Sequence, residues 1–251
     1  MPLMGASTLF AWSEGYSPRL FSVLEQRGKL LWEIVDDSEL RVTDEVASKL
    51  SALHKDKGIR FSVHTPFMGK DILSADSAKK DESISDLHRS IELAHKYGAE
   101  YAVIHPGYKN EGVSQEEIVE VWSGLLDFCE DMNIVGVVEN LTHKSVFYRP
   151  EDLYRFRKAL KKPNFVLDLG HANVEANLGS FIDAMREISY FHLHDNAGDN
   201  DSHLRLGRGN IDWDRFFSKV VQLKPEAPLV VENMTIEDLD ESVQFALKRL
   251  S

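Results

Sequence analysis

Residues 134–140, IVGVVEN, and residues 228–233, PLVVEN, are two short apolar runs that each stop on a glutamate, Glu139 and Glu232. Two further runs stop on other metal-ligand residue types. FVLDLGH at 165–171 carries Asp168 and His171, and YFHLHDN at 190–196 carries His192 and His194. Each run is built from β-branched or aromatic residues, as a strand buried in a parallel sheet requires. Strands that end on imidazoles and carboxylates are what a barrel of parallel strands needs to hold a divalent metal at its C-terminal mouth.

Outward from these four, apolar runs recur at a steady interval. Strands are expected near Gly5–Phe10, Leu31–Val35, Ile59–His64, Tyr101–His105, Val135–Glu139, Phe165–Asp168, Tyr190–His192 and Leu229–Glu232. Neighbouring run ends lie about 25 to 40 positions apart, one β/α unit each. Apolar spacing of three and four predicts helices over Ser17–Arg27, Thr43–Lys57, Ser83–Tyr97, Ser114–Met132, Pro150–Leu160, Leu178–Ile188, Asp212–Gln222 and Ile236–Leu250. Strand and helix alternate with no Pro/Gly/Ser-rich linker, so the expected fold is α/β, a single-domain (β/α)8 TIM barrel over residues 1–251. A doubly wound open sheet is the runner-up. It would carry a Gly-rich phosphate loop after its first strand, and STLFAWSEGY at 7–16 is not one. The longest irregular stretches, Thr65–Lys80 and Asn196–Asn210, both follow strand ends, where barrel active sites are built.

Composition narrows the class. The chain has 251 residues, the usual size of one such barrel, and its 43% hydrophobic content suffices for a large core. No apolar run approaches the roughly 18 residues of a membrane span, and MPLMGASTLF has no basic region or cleavage pattern, so a cytoplasmic protein is expected. The one cysteine, Cys129, excludes an internal disulfide and a thiolate zinc cluster. A net charge of −12 disfavours nucleic acid as a partner, although bound cations would reverse the field of the carboxylates that hold them. Self-association into a homo-oligomer stays open.

Of ten histidines, His54, His88 and His95 fall on predicted helices and read as surface or packing residues. The rest gather at strand ends: His64 in SVHTPF, His105 in VIHPG, His171, His192, His194 and His203, with His143 the least certain. A lone strand-end histidine is usually a satisfied core residue. Several interleaved with Glu139, Asp168, Asp201 and Glu232 point to metal. Imidazole and carboxylate without sulfur suit Zn²⁺, Mn²⁺, Co²⁺ or Fe²⁺, with Mg²⁺ a further candidate. Two Glu, one Asp and one His complete a single octahedral site, and the surplus of candidates leaves room for two or three ions.

The motifs HTPF, HPG, VVEN, DLGH, HLHDN, DSHLRLGRGNIDW and the final VVEN give the chain a resemblance, over nearly its whole length, to the xylose-isomerase-like barrel superfamily. That superfamily includes sugar and sugar-phosphate isomerases and epimerases and the endonuclease-IV type of apurinic-site nuclease. The epimerase resemblance implies one metal held by Glu139, Asp168, His192 and Glu232, with the two glutamates as the acid/base pair. The nuclease resemblance implies a trinuclear zinc site on His64, His105, Glu139, Asp168, His171, His192, Asp201, His203 and Glu232. Against the nuclease stand the acidic loop Asp36–Glu39, the acidic chain as a whole, and Phe67 with Met68, which suit an apolar lid over a sugar as well as a DNA wedge.

The preferred expectation is a metal-dependent aldose–ketose isomerase or ketose epimerase. Its metal would chelate a carbonyl and an adjacent hydroxyl, acidify the C–H between them and stabilise the enediolate. Glu139 or Glu232 would take the proton and the other would return it, with His171 a third catalytic candidate. Substrate contacts are expected from His171, His194, Arg205, Arg208, Glu33, Trp12 and Phe67, the arginines reaching a phosphate or distal hydroxyl, and Trp12 with Trp32 forming either an apolar wall or part of the core. Gly207-Arg208-Gly209 stands where the family usually reads G-E-G. The alternatives are an apurinic-site endonuclease or other zinc phosphodiesterase, and a non-catalytic metal- or sugar-binding barrel.

Overall fold

In the computed structural model, which describes residues 2–161, 163–224 and 226–250, the strands close into a barrel in chain order. They are β1 (Leu3–Ser7), β2 (Leu31–Val35), β3 (Arg60–His64), β4 (Ala99–Ile104), β5 (Val135–Glu139), β6 (Phe165–Asp168), β7 (Tyr190–Leu193) and β8 (Pro228–Val231). Every pairing is parallel, and β1 bonds to both β2 and β8, so the sheet has no open edge. The helices are α1 (Pro18–Gln26), α2 (Asp44–Lys57), α3 (Ser77–Tyr97), α4 (Gln115–Asp131), α5 (Pro150–Ala159), α6 (Leu169–Val174), α7 (Leu178–Asp183), α8 (Trp213–Leu223) and α9 (Ile236–Leu250). The (β/α)8 TIM barrel expected from the sequence is the fold. Among the described residues no helix is long and apolar enough to cross a membrane.

Local chemistry sets most boundaries. The hydroxyls of Ser17, Thr43 and Ser114 accept from the backbone N–H groups of Leu20, Val46 and Glu117, and α1 opens on a proline. Gly58 and Gly98 close α2 and α3 at φ 67° and 79°, the left-handed conformation that glycine adopts without strain.

Four expectations need correction. The first strand ends at Ser7, because its side chain accepts from Leu9 N and turns Thr8–Ala11 into a 3-10 segment. The third helix starts at Ser77, capped by Asp76, while the Ser83 hydroxyl donates back to the Lys79 carbonyl inside it. The predicted Leu178–Ile188 helix is two pieces, α7 and a 3-10 turn at Met185–Glu187. An unexpected helix, α6, follows β6 at once, because the Asp168 carboxylate caps it by accepting from His171 N at 2.6 Å.

The core has two parts. The larger lies between strands and helices. The smaller fills the barrel: Leu31, Val103, Val137, Val166, Tyr190 and Val230, all fully buried. Side chains alternate along a strand, so the residue two positions after each of these also points inward, one layer nearer the C-terminal mouth. Those residues are Glu33, His105, Glu139, Asp168, His192 and Glu232. A polar ring therefore stands on an apolar plug.

Candidate metal centre

His192 is the hub of the ring. Its Nδ1 lies 2.9 Å from Glu139 Oε1, 3.7 Å from Glu232 Oε2 and 3.8 Å from Asp168 Oδ2. All four side chains are buried. Against its burial, the charges of Glu232, Glu33 and Glu139 raise the His192 imidazole well above its ordinary value. Against its own burial, the charge of His192 and the close imidazoles of His105 and His64 hold Glu139 well below the carboxylate range. Burial pushes Glu232 the other way, upward, with only partial relief from His192. The two glutamates are thus in different electrostatic states before any ligand is considered.

The donor set fits a divalent cation. Glu139 Oε2 is buried without a hydrogen bond, although His64 Nε2 is 3.4 Å and His105 Nε2 is 3.2 Å away. Lone-pair atoms that crowd together without a hydrogen bond are what a cation relieves. His64, His105 and Glu139 form one such group, and Glu139, Asp168 and His192 a second that shares Glu139; in each, ligand atoms lie within 4.8 Å of one another. Asp168, His194 and Glu232 form a third, His194, Asp201 and His203 a fourth, and Glu33, His192 and Glu232 a fifth. The only thiol is excluded. Cys129 is buried on α4, and burial pushes it up to about 12.

The outer group is built by the loop after β7. Asp195, fully buried, accepts from Gly207 N and from Trp213 Nε1, each at 2.8 Å, and so ties the loop to α8. His171 Nε2 and His203 Nε2 lie 3.2 and 3.5 Å from Asp201 Oδ2. His203 holds φ 46°, a left-handed conformation costing a side-chain-bearing residue about 1 kcal/mol. Stacking on His194, with centroids 3.9 Å apart, and the Asn233 amide on the His203 carbonyl at 3.0 Å keep it there. The asparagine of each VVEN run is a clamp. Asn140 bonds the Asp168 backbone N–H at 2.8 Å and carbonyl at 3.1 Å, as Asn233 bonds the His203 and Leu204 carbonyls.

Gly170 makes room for His194. A Cβ on Gly170 would sit 1.9 Å from His194 Cε1. Gly170→Ala is therefore expected to cost about 2 kcal/mol of stability by overpacking and to weaken metal uptake at the outer group. Thermal melts and Zn²⁺ titration of the variant check both.

The expected site residues are not all in the ring. His64, His105, Glu139, Asp168, His171, His192, His194, Asp201, His203 and Glu232 come together as described. Phe67 covers two of them, with ring centroids 5.0 Å from His64 and 5.2 Å from His105. Trp12 leans on Phe67 at 5.9 Å, which makes an apolar wall. Asp37 fixes that wall, its Oδ2 accepting from Phe67 N and Met68 N at 2.6 and 2.7 Å. Trp32 is wholly in the core. Arg205 is engaged in an ion pair with Glu241 of α9; Arg208 is exposed. Glu33, in the ring on the Nε2 side of His192, is fully buried and engaged by Tyr190 and His192. His143 is exposed and pairs with Glu175 at 3.0 Å. Sequence reasoning missed Tyr190, Ser62, Asn140, Asn233, Asp37 and Asp195. The alternation of strands would have placed Tyr190, two before His192, and Ser62, two before His64, on the inward face.

The profile of the family described as xylose isomerase-like TIM barrel matches residues 26–249. An uncharacterized protein of Methanocaldococcus jannaschii is 27% identical over 228 residues, covering 85% of this chain and 78% of its own. A probable endonuclease 4 of a Thermotoga species is 26% identical over 204 residues, 69% of each chain. The crystal structure of a D-tagatose 3-epimerase-like protein superposes with a TM-score of 0.87 at 25% identity, covering 98% of this chain and 96% of that one. The chain belongs to the xylose isomerase-like TIM-barrel family.

Proposed function

We propose that the protein is a divalent-metal-dependent isomerase or epimerase of a sugar or sugar phosphate. The observation that carries this is the convergence of Glu139 and Glu232, from β5 and β8, on one edge of His192, at 2.9 and 3.7 Å. Glu139, Asp168, His192 and Glu232 would hold the ion. Bound there, it would polarise adjacent carbonyl and hydroxyl oxygens and acidify the C–H between them.

The chain's own groups do the rest. Glu139, held ionised, takes the proton; Glu232, pushed up by burial, supplies one from the other side. The His171 side chain, raised above its ordinary value by Asp168 and Asp201 against its burial, is aimed by its Nδ1 bond to the Asn140 carbonyl at 2.9 Å, which leaves Nε2 for Asp201 or a substrate oxygen. Trp12 and Phe67 shield the site from water on one side. With Arg205 engaged by Glu241, Arg208 alone of that pair is free for a phosphate, which favours an uncharged sugar.

The reaction is testable without knowing the product. A panel of ketoses in D2O with Mn²⁺, Co²⁺, Zn²⁺ or Mg²⁺ is expected to show deuterium wash-in at the carbon beside the carbonyl by NMR. No exchange on any sugar with any of the four metals overturns the reading.

One observation favours a second reading. The outer groups His64–His105–Glu139 and His194–Asp201–His203 are more than one ion needs, and clustered ions suit phosphoester hydrolysis. Duplex DNA with a single abasic site, incubated with Zn²⁺, would then be incised, and elemental analysis would find three ions per chain in place of one.

A further inference from the structure

Glu33 is a buried carboxylate that neither reading employs. It is fully buried on β2, in register with Ser62 of β3. Its Oε2 accepts the Tyr190 hydroxyl proton at 2.7 Å and lies 3.1 Å from His192 Nε2. Tyr190 Oη is 2.9 Å from Ser62 Oγ. A carboxylate only accepts, so the single tyrosine proton goes to Glu33 and Ser62 donates to Tyr190. Glu33 Oε1 has no hydrogen-bond partner. The ion-pair partner of Glu33 is His192, and the charge of His64 adds to the pull on this carboxylate.

A half-satisfied charge in a barrel interior is an expensive way to fill space. A Leu or Gln at 33 would fill the same place in the ring without burying a charge. What Glu33 does that neither would is hold the charged or donor Nε2–H of its ring neighbour His192. A neutral imidazole has one donor and one acceptor nitrogen. An ion among Glu139, Glu232 and Asp168 would take the Nδ1 lone pair, and the proton left on the ring then sits on Nε2, where Glu33 accepts it.

We propose that Glu33, braced by Tyr190 and Ser62, is the positioning residue of the metal centre. It holds His192 in the Nε2–H tautomer, with Nδ1 presented to the ion. Carboxylates behind ligand histidines act this way elsewhere, fixing ring orientation and raising ligand basicity. The inference rests on the metal-centre reading of the preceding subsections, but not on which reaction the centre performs.

Binding of Zn²⁺ and Mn²⁺, measured by competition against a chromophoric chelator, tests it beside melts of the chelated protein. Glu33→Gln retains an acceptor and is expected to bind about tenfold more weakly; Glu33→Leu loses it and is expected to bind about a hundredfold more weakly. The chelated Glu33→Gln variant, whose amide oxygen can still accept from Tyr190, should melt near or above the unsubstituted protein. Tyr190→Phe, which leaves the carboxylate but removes its brace, should bind about threefold more weakly. A purely structural Glu33 predicts the reverse: lower melting temperatures with unchanged metal affinity. That result, or affinity within twofold of the unsubstituted protein in the Glu33 variants, overturns the proposal. If those variants do not fold, unchanged affinity in Tyr190→Phe overturns it. Failure of the unsubstituted protein to take up either ion overturns the metal centre itself, a separate outcome.

Discussion

Glu139→Gln is expected to lower turnover at least about a thousandfold while the barrel still folds. The carboxylate has two duties in the proposed reaction, and the amide can perform neither well. A general base contributes roughly a hundredfold to ten-thousandfold, and loss of an anionic ligand adds to that. The environment shows what the charge does. Three imidazoles, of His192, His64 and His105, stand within 2.9, 3.4 and 3.2 Å of it. Without it they face one another with one less anion to share, and His64, raised to about 8 largely against its burial by Glu139, falls back. The fold survives because the plug beneath the ring is apolar and complete. Glu232→Gln should produce a loss of the same order, and the double variant little more than either, since the two act as a unit. Turnover per metal-loaded chain, with a melting curve for each variant, is the measurement. Full activity in either single variant would remove the acid/base assignment.

Much of this architecture is legible in the sequence, for an identifiable reason. The runs at β2, β5 and β6 have the bounds expected of them: β5 and β6 stop on Glu139 and Asp168, and β2, broken only by Glu33, stops before Asp36. The ring is legible by the same alternation, since Glu139 stands two beyond Val137 and Glu232 two beyond Val230. Reading fails where a local hydrogen bond overrules an apolar pattern. Leu9 and Phe10 look like strand, yet the Ser7 side chain ends β1 before them. The segment LGHANV has no amphipathic spacing, and it is helical because Asp168 caps it. Reading also fails where the partner is distant. Nothing near Arg205 signals that Glu241 will claim it, and nothing near Glu33 signals Tyr190 and Ser62.

Stripping the metal is expected to abolish turnover and to expose a pH dependence with a definite sign. In the chelated protein, burial lowers His64 and His203, but neighbouring carboxylates override it. Glu139 brings His64 to about 8, and Asp201 with Glu232 brings His203 to about 9. Both exceed the ordinary histidine value of about 6.5. A group raised on folding contributes stability that is whole below its unfolded pKa and is lost as pH climbs through the folded one. The chelated protein should therefore weaken between about pH 6.5 and 9. His64 alone accounts for about 2 kcal/mol, and His203, partly exposed, for a comparable amount after screening. That corresponds to a fall of roughly 5 to 15 °C in a chain of this size. His192 and His171, also raised, extend the loss to higher pH. His105, lowered by burial, acts in the opposite sense only on the acid side of the window. A bound cation reverses the slope, because its histidine ligands must be neutral and its affinity grows as they lose protons. The gap between loaded and chelated melting temperatures should widen steadily from pH 6.5 to 9, in scans with Mn²⁺ against scans with EDTA. Parallel curves across that window would mean that these histidines do not hold the ion.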